Sequence, residues 1–250
     1  MNSPTPPPVQ RQPDDTTCGP TCLQAVYAHW ALHRGDEAPS LDEVIATVHA
    51  LPQGGTLAVH LGNDALQRGY RATIFTYNLQ LFDPTWFEPG VDLRAKLRAQ
   101  RAAKDDEKLA AATDAYLRFL AGGGEIRCED LDPALLHRLL DNGAPILTGL
   151  SATWLYRCAR ERGEHVVVHD DVAGQSAGHF VVLYGVDADR AEVLVADPLH
   201  DNPGWGSGRY VAPLHRVIPA ILLGVVTYDA NLLVIEPADA AAASPPRAPS

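Results

Sequence analysis

Apolar residues change their spacing along this chain, and the order of that change constrains the fold more than any single motif. Up to Gly143 they recur mostly at helical spacing, and beyond it they fall into short runs typical of strands. In the first part, Leu23, Val26, Tyr27 and Trp30 predict a helix from Cys18 to about His33. A second follows Ser40, which stands three residues before Glu43 in a capping-box pattern at the head of "LDEVIATVHAL". A third spans about Leu57 to Arg68 and stops at Gly69, after which "YRATIFTY" alternates like a strand. Asp92 to about Leu120 reads as helical, and "DPALLHRLLDNG" as a short helix with Pro133 in its first turn and Gly143 as its stop.

The last third carries "APILTGL", "HVVVHD", "GHFVVLYGV", "AEVLVAD" and "GVVTYDANLLVI", all read as strands. Helices followed by an antiparallel sheet define the α+β class. With no internal repeat and no long linker, a single domain is expected over 10–235, with an extended middle region at about 80–165. A Pro-rich arm at 1–9 and a tail at 236–250, low in large apolar residues, are expected to be loose.

Acidic residues outnumber basic ones by 31 to 20, for a net charge of -11, which disfavours nucleic acid or an anionic membrane as the main partner. "VIPAILLGVVTY" is too short to cross a membrane and reads as core. The opening "MNSPTPPPVQRQPDD" lacks the basic start and apolar stretch of a secretory signal, so a cytoplasmic location is expected. There the four cysteines, 18, 22, 128 and 158, stay reduced. Cys18-x3-Cys22 has no matching second pair, and no metal or cofactor is called for. The set His165, His169, Asp170 and Asp171 lacks a sulfur ligand or a third histidine and is not read as a metal site.

Cys18 sits where a helix begins, and unpaired backbone N–H groups together with the positive end of the helix dipole stabilise a thiolate there. Asp14, Asp15, Thr16 and Thr17 suit a turn or cap, Gly19 permits close backbone approach, and Pro20 fits only a first helical turn. Cys22, one turn deeper among apolar residues, is expected to be inert. A nucleophilic thiol needs a base, and the base needs an orienting group. His179 opens an apolar strand where a core position would carry Val or Ile. A hairpin turn centred on Ala188, or between Ala188 and Asp189, sets it directly opposite Asp197, which Pro198 follows at the strand end. The Cys18 backbone N–H is one donor for a developing oxyanion; the side chain of Gln12 is the expected second, with Gln10 in reserve.

Gln12, the helix-opening Cys18-Gly19-Pro20, Gly178-His179-Phe180 on a strand and Asp197-Pro198 ending the next together resemble the double-glycine, bacteriocin-processing peptidases, a family of papain-like cysteine peptidases. The similarity covers about residues 10–30 and 175–200. It implies a papain-like fold with a helical half carrying the nucleophile and a sheet half carrying the base. By motif position it implies Cys18 as nucleophile, His179 as base and acid, Asp197 as orienter and Gln12 in the oxyanion hole. A peptide or protein is the substrate it implies. The chain contains no G-x-x-x-x-G-K-[ST] loop, unlike the exporters in which the best-known members reside.

Acyl transfer of the phytochelatin-synthase-like or transglutaminase-like type is an alternative that keeps the first half of the same reaction, and a binding module on the same fold is another. Of the aromatic residues Trp86, Phe87, Trp154, Trp205 and Tyr210, only Trp205, in "NPGWGSGRY", is read as lining a substrate groove; the others are assigned to the core. The basic run Arg94, Lys96, Arg98, Arg101 and Lys104 is read as a solvated helix face.

Overall fold

The protein is described by a computed structural model over residues 4–51, 54–163 and 168–239. In chain order its elements are α1 (Cys18–Arg34), α2 (Leu41–Thr47), α3 (Ala58–Gln67), β1 (Tyr70–Thr76), α4 (Leu93–Ala103), α5 (Glu107–Ala121), β2 (Glu125–Arg127), α6 (Pro133–Leu140), β3 (Ile146–Ser151), α7 (Ala152–Tyr156), β4 (Glu161–Arg162) and β5 (Val168–His169). There follow β6 (Gly178–Asp187), β7 (Glu192–Ala196), β8 (Arg209–Pro213), α8 (Leu214–Leu223) and β9 (Asn231–Pro237). The class is α+β, as expected.

Local chemistry accounts for most helix boundaries. Ser40 accepts from the Glu43 backbone while the Glu43 carboxylate accepts from Ser40 N, completing the capping box of α2. Asp92, Asp106 and Asp132 cap α4, α5 and α6. The stretch from Asp92 to Leu120 is therefore two helices and not one, because Asp106 turns its side chain to the backbone N–H of Leu109 and starts a second helix. The basic run is exposed on α4 and just past its end, and Arg101 pairs with Asp114 of α5.

Among the described residues, seven strands form one sheet in the order β2-β1-β9-β3-β6-β7-β8, antiparallel except for β1 beside β2. Alternation along these strands feeds two cores. One, on the side of α1, α3 and α5, holds Ile74, Leu147, Phe180, Val182 and Leu233. The other, under α6, α7 and α8, holds Phe75, Ile146, Leu150, Val181 and Val195. Helices thus cover both faces of the sheet. On α1, Leu23, Val26 and Tyr27 are completely buried, each contributing about 1.5–3 kcal/mol of apolar transfer to holding α1 on the sheet.

Several expectations are corrected. The arm preceding residue 10 is laid on the sheet from Pro4 onward: Pro4 lies against Gly185, Pro7 and Val9 are buried, and Arg209 donates to the Pro7 carbonyl. The last strand runs to Pro237, which pairs with Tyr70, so Glu236 and Pro237 belong to the sheet and not to a tail. "GVVTYDANLLVI" is a 3-10 turn at Gly224–Thr227 and then β9, because Tyr228 takes a left-handed conformation (φ 76°) and ends the turn. Of "HVVVHD", residues 165–167 lie outside the described residues, among them His165 of the dismissed metal set. Val168 and His169 pair with Arg162 and Glu161 in a separate small ribbon. The middle region supplies β3, which lies between β9 and β6 inside the main sheet.

Candidate active site

Cys18 is the first residue of α1, and no side chain caps that end; the first turn also carries no acidic residue. Thr17 Oγ1 instead donates to the Asp14 carbonyl, and Asp14 Oδ1 accepts from Thr16 N and Oγ1, so the preceding turn closes on itself. Pro20 has no N–H, which leaves the backbone N–H groups of Cys18 and Gly19 as the donors at the head of the helix. The fit is close: a Cβ added to Gly19 would stand 2.6 Å from Thr56 Cγ2 and 3.3 Å from the Phe180 ring. Cys18 is 8% exposed and all four cysteines are free thiols. Cys22 is fully buried with Sγ 3.3 Å from the Phe180 carbonyl, and burial, then the charges of Cys18 and Asp197, push its thiol well up. Cys22 is thus a core thiol.

His179 begins β6 and pairs in register with Leu150 of β3. Its Nε2 lies 2.8 Å from Asp197 Oδ1, which leaves Nδ1 for the Cys18 thiol. Burial works to lower the imidazole pKa, but the charge of Asp197, its hydrogen bond and then the Cys18 thiol outweigh it and hold the ring up at about 10. The ring is therefore poised to carry its proton at neutral pH.

The contact between His179 and Asp197 does not arise from the expected register. The loop joining β6 to β7 spans residues 188–191, and a bulge lies between Leu183 and Gly185. Continuing the pairing of Val182 with Ala196 sets Asp197 against Val181, two residues from His179. A two-residue offset keeps the same face of the sheet, so the carboxylate reaches the ring diagonally.

Asp197 has no solvent exposure, a costly position for a carboxylate unless its lone pairs are filled. They are filled by four donors. Oδ1 takes His179 Nε2 and, at 2.9 Å, the backbone N of Leu199; Oδ2 takes the hydroxyls of Tyr156 and Tyr210, each at 2.8 Å. Burial works to raise the Asp197 pKa, yet the imidazolium and these hydrogen bonds win and hold it below the usual carboxylate range. Tyr156 and Tyr210 are the members of the site that sequence reasoning missed. Tyr156 was not singled out, and Tyr210 was assigned to packing alone; no local pattern marks a phenol that answers a carboxylate 41 residues away in sequence.

Gln12 is tied to the same corner. Its backbone N donates to the Pro198 carbonyl at 3.0 Å and its Nε2 to the Asp14 carbonyl at 2.8 Å, which leaves one amide hydrogen unused by that bond. Gln10 is instead bonded to Gln24 of α1. Trp205 is half-buried and stacks on Tyr210, with ring centroids 4.1 Å apart and planes 4° apart, while its edge meets Tyr156. It braces the two phenols, and Asn202 holds its loop by bonding the carbonyls of Leu199 and Ser207 and the backbone N of Trp205. Of the predicted residues, Cys18, His179 and Asp197 converge, Gln12 adjoins them through Pro198, and Trp205 stands behind the carboxylate.

The site thus unites a thiol at a helix head, an imidazole and a buried carboxylate. No family model and no curated protein matches the sequence. Among solved structures, the chain is similar to a putative C39-like peptidase from Bacillus anthracis, at 13% identity over 92% of this chain and 94% of that one, with a TM-score of 0.47. It is also similar to xylellain, a cysteine protease from Xylella fastidiosa, at 16% identity over 94% of this chain and 87% of that one, with a TM-score of 0.43. Among the described residues no helix is long and apolar enough to cross a membrane, and no group of three or more His, Cys, Asp or Glu side chains is placed to hold a metal ion.

Proposed function

We propose that this protein is a cysteine peptidase or amidase that cleaves a peptide or amide bond through Cys18, His179 and Asp197. The observation that carries the reading is the buried His179–Asp197 pair set beside a thiol at an uncapped helix head. In the reaction, the Cys18 thiolate adds to the substrate carbonyl carbon. The negative charge formed on its oxygen is received by the Cys18 backbone N–H and by the free amide hydrogen of Gln12. The C–N bond then breaks as His179 gives its proton to the departing amine, leaving a thioester on Cys18. Water adds to that thioester as His179 takes up its proton, and the C–S bond breaks to release the acid and restore the Cys18 thiolate beside the protonated His179. Asp197 fixes the ring orientation throughout and favours the imidazolium.

The test is the rate of Cys18 alkylation by iodoacetamide across about pH 5–9, read peptide by peptide by mass spectrometry so that Cys128 and Cys158 do not contribute. An ordinary thiol is almost wholly protonated at about pH 6 and reacts slowly there. Fast modification of Cys18 at that pH is expected, with a loss of about tenfold or more in His179→Ala. Equal rates in the two proteins refute the reading.

A further inference from the structure

A cavity of about 440 Å³ opens between α7 and the end of α8, at the end of the sheet where the chain enters β6, lined in part by Ser151, Ser176, Trp154, Leu223, Val226 and Arg157. Its walls are tied to the backbone that precedes the histidine. Ser151 pairs with Gly178, the Ser151 and Ser176 hydroxyls are 2.9 Å apart, Ala152 N donates to the Ala177 carbonyl, and Ala177 N donates to Thr153 Oγ1. The same short helix α7 sends Tyr156 to Asp197, so one element forms a wall of the cavity and supports the catalytic carboxylate. The cavity is thus joined through Ser151, Ser176 and Ala177 to the residues that lead directly into His179.

The lining defines what fits. Leu223 and Val226 are 38% and 60% exposed and Leu222 beside them 43%, an apolar surface left open to solvent at one rim. Across from it the Arg157 guanidinium lies over the Trp154 ring at 4.3 Å, and Arg160, also on the lining, is fixed by bonds to the carbonyls of Asp171 and Val172. Arg160 is committed to its own loop beside the Asp170 carboxylate, which leaves the exposed Arg157 guanidinium as the rim cation that an anionic group complements. The volume suits one or two amino-acid side chains.

We infer that this cavity is the substrate subsite that sets specificity, taking an apolar side chain of a peptide in which the adjacent residue is acidic, with Leu223, Val226 and Trp154 receiving the first and Arg157 the second. The inference rests on the peptidase reading and names the class of peptide it acts on. Arg157 and Val226 are its specificity-determining residues, since both project from exposed surface and their replacement leaves the core intact.

The probes are two-position hexapeptide pools, acetylated and amidated, containing Leu-Asp, Leu-Lys or Ser-Asp at fixed positions. Binding is measured by calorimetry to Cys18→Ala protein, so that turnover does not enter. The Leu-Asp pool is expected to bind about tenfold more tightly than either other pool. Adding Arg157→Glu reverses the order of Leu-Asp and Leu-Lys, and adding Val226→Ser removes the advantage of Leu over Ser. Equal binding of the three pools, or preferences that survive both substitutions, overturns the subsite. Alkylation of Cys18 in protein from the wild-type sequence reports on the catalytic reading alone, which keeps the two failures distinct.

Discussion

Tyr210→Phe isolates the support that the phenols give Asp197, since the ring that stacks on Trp205 is retained and only the hydroxyl 2.8 Å from Oδ2 is lost. A hydrogen bond to a charged acceptor contributes about 1.5–3 kcal/mol, and one to a neutral acceptor about 0.5–1.5 kcal/mol. Removing the hydroxyl therefore costs about 1.5–3 kcal/mol of stability at neutral pH, where the carboxylate is charged. The charged form loses about 1–1.5 kcal/mol more than the protonated form, which at about 1.36 kcal/mol per pH unit raises the Asp197 pKa by about one unit. The assay is kcat/KM against pH on a cleaved peptide, with urea unfolding in parallel. The acid limb should move up by about one unit. The alkaline limb should not move down, because an ionised Asp197 with fewer donors holds the His179 imidazolium at least as firmly. Tyr156→Phe should behave alike, and the double variant should lose less than the sum because both hydroxyls share Oδ2. An acid limb that coincides with that of the wild type, in a variant that has lost stability, would refute the argument and reduce the phenols to packing.

Three further outcomes are expected. Cys18→Ser and His179→Ala should each lower kcat on the same peptide by about 10³-fold or more with little change in fold, as judged by circular dichroism, and the double variant should be scarcely worse than either alone. Gly19→Ala should destabilise by about 1–3 kcal/mol because its Cβ meets Thr56 Cγ2 at 2.6 Å; Thr56→Ser, which removes that methyl and keeps the hydroxyl bonded to the His49 carbonyl, should restore much of the loss, and thermal melts read both. The raised His179 pKa contributes stability that is complete below its ordinary 6.5 and is lost as pH rises toward about 10; urea midpoints across that window should fall in the wild type, and that component of the fall should be absent in His179→Gln.

Much of the site was legible because its signals are local. Cys18-Gly19-Pro20 marks a helix head that leaves two N–H groups free, and the structure starts α1 at Cys18. A histidine in place of Val or Ile at the start of β6 marked a side chain kept for something other than packing. The Ser40 capping box and the Gly69 and Gly143 stops likewise depend on neighbours within a few residues. The register was read wrongly and the contact rightly, since a bulge and a longer loop moved the pairing by two residues and a two-residue shift preserves the face.

What the sequence determined by itself is the set of elements and the side chains that the proposed chemistry would use: a thiol at a helix head, an imidazole and a carboxylate at strand ends, and a glutamine upstream. Only the tertiary structure decided that β3, from the middle of the chain, separates β9 from β6 and lies beside His179, and that the Pro-rich arm is laid along the sheet. It also decided that the Asp197 carboxylate is sealed from water and met by two tyrosines from different elements. Caps, turns and periodicity arise from forces acting over a few residues. The burial of a charge and the donors that answer it depend on which distant segments pack together, and no spacing along the chain encodes that directly.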